Sequence, residues 1–204
     1  SSLDSSFAAV SALTDQLDGS LELLAEVVRS PRFPADEVER VRKEWVAGIA
    51  REKTSPEALA NRVLPPLLYG EGHPYAIPFT GSGTEDSIAS LTRDDLLAFH
   101  RDWIRPDNAT VIVTGAVKAA TLLPMLEKHF GSWQAPASAR PAKAIPAAAQ
   151  PSAPRLFLID KPGAIQTSIL VGQLMPPSTA PIRLEIGTAN DVLGGTFTSR
   201  INMN

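Results

Sequence analysis

The stretch WIRPDNATVIVTG, residues 103–115, joins the end of a helical pattern to a run of β-branched residues. Pro106, Asp107 and Asn108 favour a turn, because proline fixes φ and the two short polar side chains hydrogen-bond to nearby backbone. Residues 109–114 are mostly β-branched and are followed by Gly115, which is typical of a strand and its end. The stretch therefore predicts a helix, a turn and a strand, in that order.

Apolar residues recur at helical spacing on both sides of this stretch, and shorter alternating or continuous apolar runs lie between them. Ser55 and Pro56 suit the cap and first position of one helix, and Thr92 with Asp95 resembles a capping box at the start of another. The predicted helices span about residues 17–29, 34–52, 55–69, 92–103, 119–130 and 182–192, and the predicted strands span residues 5–13, 109–114, 155–161 and 166–172.

Two details of these helices are left open by the sequence. Thr14, Asp15 and Asp18 are all candidates to cap the first helix, because their side-chain oxygens can accept from free backbone N–H groups. The third helix ends near Pro65 or continues, kinked, as far as Tyr69.

Residues 135–154 are almost wholly Ala and Pro, a composition that cannot build a core and that predicts a semi-extended linker. The linker divides the chain into residues 1–134 and residues 155–204. Each part mixes helices with strands, so the sequence predicts an α+β protein with incomplete sheets, since a two-stranded sheet is marginal alone.

Composition excludes several classes of function. The formal charge is −3 and basic residues are interspersed with acids, so no surface for nucleic acid is predicted. The chain has no Cys, which rules out disulfides and thiolate metal ligands. No apolar run approaches the ~20 residues that span a bilayer, and no large exposed apolar patch is evident. The first residues lack a signal-peptide pattern, so we expect an internal portion of a longer protein.

Five segments in a fixed order resemble the insulinase (pitrilysin) family of zinc metallopeptidases. They are PRFP at 31–34 with Glu37 and Arg42, YGEGHPY at 69–75 with LTRDD at 91–95, WIRPDNA at 103–109 before VIVTG, IDKPGAIQ at 159–166, and VLGGTFTSR at 192–200. The resemblance implies insulinase-like half-domains, each an antiparallel or mixed sheet packed by helices. Residues 1–134 would be the C-terminal part of one half, 135–154 the linker, and 155–204 the N-terminal part of the following half.

The catalytic pattern of the family is incomplete in this sequence. Active members bind zinc through an inverted H-x-x-E-H motif and a downstream Glu. His73, His100 and His129 do not have that spacing, and we interpret all three as structural. An ungapped match between Phe33 and Pro56 places Gly48 where the downstream Glu belongs.

The match also places Val41 where a second acid is usual. We therefore assign no catalytic residue, no metal ligand and no cofactor to this chain, although active relatives hold zinc. A compensating ligand from Glu44 or Glu52, one turn on either side of Gly48, is the alternative.

A substrate-binding role for Gly194, Gly195 and Arg200 is implied by the same resemblance. In the processing-peptidase relatives a glycine-rich loop at this position helps to recognise substrates. An ordinary helix C-cap accounts for the two glycines equally well.

The resemblance predicts a non-catalytic portion that contributes peptide binding and scaffold to an active peptidase half or subunit. Its partners would be that half and a peptide or unfolded polypeptide. One alternative is a competent zinc endopeptidase whose H-x-x-E-H lies upstream of Ser1, and another is a non-enzymatic assembly subunit of the same fold. The family, the absence of Cys and the Ala/Pro linker predict a bacterial periplasmic or envelope location.

Overall fold

The computed structural model describes residues 2–203, and the regular structure in that part of the chain is helical. In chain order the α-helices are α1 (Leu17–Arg29), α2 (Ala35–Glu52), α3 (Pro56–Tyr69), α4 (Glu85–Ser90), α5 (Arg93–Trp103), α6 (Ala119–Phe130), α7 (Arg183–Asn190) and α8 (Arg200–Met203). Short 3-10 turns occupy Thr14–Gln16 and Pro106–Asn108, and a π-helical turn occupies Asp191–Gly195.

Local capping chemistry fixes several of these boundaries where the sequence predicts them. The Ser55 hydroxyl accepts from the N–H of Ala58 at 3.4 Å, and Pro56 fills the first position of α3. Thr92 and Asp95 form the predicted capping box of α5. The third helix continues through Pro65 to Tyr69, which was the second of the two alternatives.

One capping prediction fails, and one capped helix was missed. No side-chain cap forms at the start of α1, because the Asp18 carboxylate turns instead to Lys128 and His129. Helix α4 was not predicted, although the Thr84 hydroxyl and Ser87 form a reciprocal capping box at its start. A helix of six residues is too short for its apolar period to be visible in the sequence.

The predicted α+β fold is wrong for residues 2–203, because the four predicted strands (5–13, 109–114, 155–161 and 166–172) form no β-ladder there. Ala109 has extended backbone, with φ −109° and ψ 147°, but no backbone hydrogen bond joins one of these segments to another. β-branched composition favours extended backbone, whereas a strand also requires a neighbour that pairs with its N–H and C=O groups. The β-branched composition therefore predicts extended backbone but does not show whether a neighbour is present to pair with it.

These four segments expose much apolar surface, contrary to the expectation from sequence. Ile112 is 82% exposed, and Leu156 and Ile165 are 97% and 100% exposed. The described chain has a solvent-accessible area of 15339 Å². A compact monomer of 21.7 kDa has an area of about 9,200 Å². Much of the apolar surface is therefore left uncovered.

The helices are held together by a small core and by polar contacts between distant segments. Leu21 and Ala25 of α1 and Ile49 of α2 are buried apolar residues, and Pro65 of α3 and Pro78 are buried as well. Helix α1 packs on α6, where Asp18 accepts from Lys128 Nζ at 2.7 Å and from His129 Nε2 at 2.8 Å.

Helices α2 and α5 are connected to their neighbours by arginines. Arg42 of α2 donates to the carbonyls of Ile88 and Leu91, which close the C-terminal end of α4. Arg93 of α5 donates to the carbonyl of Phe33 at 2.7 Å, just before α2 begins. Phe33 has a positive φ of 44°, so Arg93 secures a backbone conformation that is uncommon outside glycine.

The Ala/Pro segment, residues 135–154, has no regular structure but lies against residues 2–134. The buried Arg105 donates to the carbonyl of Ser138 at 3.1 Å, and Arg140 donates to Asn108 Oδ1 at 2.7 Å. Farther along, Lys143 donates to the carbonyl of Asp4 at 2.6 Å. We call residues 135–154 the strap, because hydrogen bonds attach it along its length.

Candidate functional site

Helix α2 carries Gly48, the position where the family resemblance predicts the zinc-binding Glu of active relatives. Gly48 is half-buried beside Ile49, which is fully buried. A Cβ built at Gly48 would meet one atom, Nη2 of Arg51, at 3.9 Å. The space for a side chain therefore exists, but glycine offers no ligand atom. Val41, at the second acidic position, is apolar and 42% exposed.

The two neighbouring acids are already engaged. Glu44 accepts from Arg40 Nη1 at 2.7 Å on the exposed face of α2. Glu52 Oε2 accepts from Arg62 Nη1 at 2.7 Å and from the Ser82 hydroxyl at 2.7 Å. Both carboxylates thus have partners other than a metal, so the residues around Gly48 do not fit a zinc site.

Glu52, Arg62, Thr80 and Ser82 form a cluster that we call the Glu52 cluster. Thr80 Oγ1 donates to Glu52 Oε2 at 3.2 Å, and Arg62 Nη1 also lies 2.8 Å from Ser82 Oγ. Partial burial acts to raise the pKa of Glu52, but the hydrogen bonds from Ser82, Arg62 and Thr80 outweigh it and lower the pKa below 4.5. Glu52 is therefore ionised at neutral pH.

The Glu52 cluster holds the Gly- and Pro-rich loop, residues 70–84, against α2 and α3. Arg62 Nη2 donates to the carbonyl of Gly83 at 2.7 Å, and Trp45 Nε1 donates to the carbonyl of Ser82 at 2.9 Å. The sequence patterns did not predict this cluster. No spacing rule connects Glu52 to Ser82, 30 residues away.

The three histidines have partners that agree with a structural interpretation. His129 is buried and contacts Asp18, and His100 Nε2 lies 2.7 Å from the carbonyl of Val28. His73 stacks on Tyr69 with 5.0 Å between ring centroids. Among residues 2–203, no three side chains of the metal-binding types come together to hold an ion.

Gly194, Gly195 and Arg200, predicted to bind substrate, lie close together at the end of α7. The two glycines end the π-helical turn, and Arg200 begins α8. Neither glycine has a positive φ, so the left-handed helix cap that the sequence also suggested does not form.

The tight packing of this turn accounts for both glycines. A Cβ at Gly195 would lie 2.6 Å from Asp191 Oδ1, and one at Gly194 would lie 3.2 Å from Ile201 Cδ1. A side chain at Gly195 would therefore require Asp191 to move.

A groove of about 800 Å³ opens beside this turn. Its apolar lining comes from α7 and the π-helical turn, and Glu185 and Arg200 add one acidic and one basic side chain. The apolar residues that line it are Leu184, Ala189, Val192 and Leu193. The groove can therefore bind an apolar side chain of a ligand, and Glu185 and Arg200 can contact polar groups beside it. It contains no group that the structure places for bond cleavage.

Comparison with known proteins places this helical chain among portions of zinc proteases. The family model described as the peptidase M16 inactive domain matches residues 90–204. A protein of Mycobacterium leprae (strain TN) named as a zinc protease is 30% identical over 191 residues, covering 93% of this chain and 42% of that protein. The probable mitochondrial-processing peptidase subunit beta of Schizosaccharomyces pombe is 29% identical over 123 residues, covering 59% of this chain and 26% of that protein.

A solved structure shares the fold. The crystal structure of a peptidase M16 inactive domain from Pseudomonas fluorescens matches with a TM-score of 0.72 at 26% identity, covering 93% of this chain and 44% of that one. The chain belongs to the peptidase M16 inactive domain family. The resemblance to zinc metallopeptidases is thereby confirmed, as is the assignment to a non-catalytic portion. The chain spans less than half the length of these relatives.

Replacing Gly48 by alanine should stabilise the chain. Alanine has the higher helix propensity, and the space around Gly48 accepts a Cβ, so we expect the free energy of unfolding to rise by about 0.5–1 kcal/mol. Urea denaturation measures the change. The matched control is Ala50→Gly in the same helix, which should lower stability by a similar amount. A destabilised Gly48→Ala variant would show that backbone or side chains approach Gly48 closely.

Replacing Glu52 by glutamine should lower stability at neutral pH by about 1–2 kcal/mol, because a charged hydrogen-bond acceptor is lost from a partly buried cluster. The folded-state pKa of Glu52 is below its usual 4.5, so its contribution is complete above that pH and is lost as pH falls through the folded-state value. The difference in the free energy of unfolding between wild type and Glu52→Gln should therefore become smaller as the pH falls below about 4.

The matched control for this titration is Glu44→Gln, which changes an exposed ion pair on the same helix and should have a much smaller effect. If the difference in the free energy of unfolding between wild type and Glu52→Gln stayed constant across the acid range, the lowered pKa of Glu52 would be contradicted.

Proposed function

We propose that this chain is the scaffold and peptide-binding portion of an insulinase-type peptidase, and that it works together with an active zinc-binding half. The observation that carries the proposal is the large uncovered apolar surface. The chain exposes about 6,000 Å² more than a compact monomer of its mass. Obligate interfaces bury about 2,000–5,000 Å² or more in total, roughly half of it on each partner, so the excess is larger than one such interface would cover.

The extended segments support peptide binding. Between residues 110 and 114, and between 165 and 173, the described structure contains no hydrogen bond to backbone N–H or C=O groups. Such groups require partners when apolar surface around them is covered. An extended peptide supplies these partners through its own backbone, with little dependence on sequence. This pairing suits a protein that receives unfolded polypeptides.

The segment at 165–173 has one supported side and one free side. A Cβ at Gly172 would lie 3.0 Å from the side chains of Leu64 and Leu68, so the segment packs closely on α3. Ile169 and Val171 point away and are 84% and 90% exposed. A peptide laid along this segment would cover the free side. The groove beside Gly194, Gly195 and Arg200 would receive one of its apolar side chains.

A non-enzymatic assembly subunit is the second candidate, and the same exposed side chains favour it. In that case the uncovered surface would bind a folded protein instead of a peptide. The engagement of Glu44 and Glu52 gives the third candidate, a competent metal site at Gly48, no support. The described helices include none that is long and apolar enough to cross a membrane. The periplasmic or envelope location stays a prediction.

The purified chain should bind uncharged extended peptides, measured by fluorescence anisotropy. Ile169→Pro removes one backbone donor that has no partner in the described structure, so it should leave the fold intact and weaken binding about fivefold to tenfold. Ala147→Pro, in the strap, is the matched control. Equal affinities of wild type and Ile169→Pro would rule out pairing at this segment. A chain that ignores peptides but forms a stable complex with an active half would favour the assembly role.

The purified chain should retain less than stoichiometric zinc after dialysis, because Gly48 removes the carboxylate ligand and the neighbouring acids are engaged. Atomic absorption gives the metal content, and peptide cleavage assayed with and without a chelator tests activity. One tightly held zinc per chain would overturn the non-catalytic assignment of α2.

A further inference from the structure

The strap is held by side chains of the preceding part of the chain, much as a protein holds a bound peptide. Arg105 donates from Nη1 to the carbonyl of Ser138 at 3.1 Å and from Nη2 to the carbonyl of Pro136 at 3.4 Å. Farther along, His73 Nε2 lies 2.9 Å from the carbonyl of Pro146. No backbone–backbone hydrogen bond in the described structure involves the strap. Its main chain is therefore bound through side chains alone.

Arg105 is a pre-organised receptor for these carbonyls. The residue is 3% exposed, and its Nε and Nη2 bind the two carboxylate oxygens of Asp107 at 2.6 and 2.9 Å. Bidentate pairing fixes the plane of the guanidinium, so its other N–H groups point in set directions. The strap satisfies these groups while it covers the side chain. Any polypeptide segment that presents carbonyls with this spacing suits the same receptor.

The covered residues of the strap include two of its prolines. Pro136, Pro141 and Ala148 are half-buried, and every other residue of the strap is exposed. Proline has a fixed φ, so a segment that contains it loses less conformational entropy when it binds. The two prolines are five residues apart, and this spacing is one feature that a ligand of the surface would share.

Two basic side chains of the strap bind acceptors on the same surface. Arg140 donates to Asn108 Oδ1 at 2.7 Å. Lys143 Nζ donates to the carbonyl of Asp4 at 2.6 Å and lies 3.3 Å from its Oδ1, while the hydroxyl of Tyr75 donates to the same carboxylate at 2.9 Å. The surface therefore offers donors to the carbonyls of the strap and acceptors to its basic side chains.

We propose that Asp4, His73, Arg105 and Asn108 form a binding site for proline-containing basic segments of polypeptide, and that the strap is its built-in ligand. We call these four residues the strap site. A segment of another polypeptide with prolines five residues apart and a nearby Arg or Lys makes the same contacts. The strap is on the same chain, so it occupies the site at an effective concentration of about millimolar. An outside segment therefore has to displace it.

The strap can leave this site without displacing the residues that follow it. Arg155 donates to the carbonyl of Leu67, and Gly172 packs on two leucines of α3. These contacts hold residues 155–172 on α3 whether or not the strap is bound. The strap site is also separate from the segment proposed to pair with peptides, so neither binding event depends on the other.

A fluorescent peptide with the sequence of residues 135–149 measures the site by anisotropy. Replacing residues 135–146 of the whole chain by a Gly/Ser segment of equal length frees the site. This strap-replaced chain should bind the peptide at least about tenfold more tightly than wild type, which must first release its own strap. Equal affinities would overturn the proposal, as would a strap-replaced chain that keeps its helicity and does not bind the peptide.

Two double variants test the same competition without rebuilding the strap. Pro136→Ala/Pro141→Ala removes the half-buried prolines and weakens the hold of the strap, so the peptide should bind severalfold more tightly than it binds wild type. Pro151→Ala/Pro154→Ala is the matched control, because it changes two exposed prolines of the strap and should bind the peptide as wild type does. Equal affinities of the two double variants would overturn the proposal.

The chemistry of recognition is tested by changing the peptide and keeping the strap-replaced chain. A peptide with Arg140→Ala and Lys143→Ala should bind about fivefold to tenfold more weakly, because it lacks the groups that contact Asn108 and Asp4. Unchanged affinity would overturn the proposal.

Ile169→Pro separates the strap site from the pairing proposed at residues 165–173. Added to the strap-replaced chain, it should leave the affinity for the strap peptide unchanged, since residue 169 lies outside the strap site. A loss of affinity of about fivefold or more would overturn the strap site and leave the pairing segment as the place where the peptide binds.

Discussion

An extended backbone needs a partner for its N–H and C=O groups, and this requirement governs the whole molecule. Four apolar segments that were predicted as strands form no ladder within the described chain, and their side chains leave a large apolar surface in water. Helices satisfy their own backbone groups and so persist without such partners. The structure therefore keeps its helices, and its extended segments become the surface that another chain or a peptide can cover.

Arginine side chains help to stabilise the arrangement of helices, a role that a larger apolar core would otherwise have. Arg42, Arg62, Arg93 and Arg105 each donate to backbone carbonyls in a distant segment. The guanidinium has several donors in a fixed plane, so one arginine can satisfy a helix end or a loop while its stem covers apolar surface. These contacts explain how so small an apolar core accompanies a defined arrangement of helices.

Features that depend on near neighbours in sequence could be predicted, and features that depend on distant ones could not. Ser55, Pro56 and the Thr92–Asp95 box act within four residues, and each formed as expected. Asp18 carried the same capping signal but contacts α6, about 110 residues away. The strands failed for the same reason, since β-branched residues report extended backbone and say nothing of the partner. The sequence predicted a semi-extended linker at residues 135–154 but not its attachment, because the polar contacts of the strap come from other segments.

Glycine at position 48, where the family resemblance predicts a metal-binding carboxylate, does not disturb α2, and the contacts of that helix explain why. Its hold on the rest of the chain comes from Ile49, Arg42 and Glu52, none of which depends on a metal. Glu52 in particular is committed to Arg62 and Ser82, so an acid near the position has become part of the loop's attachment. A helix anchored in this way keeps its place in the chain while Gly48 offers no ligand atom. One helix can therefore lack a catalytic ligand and still serve as part of the scaffold.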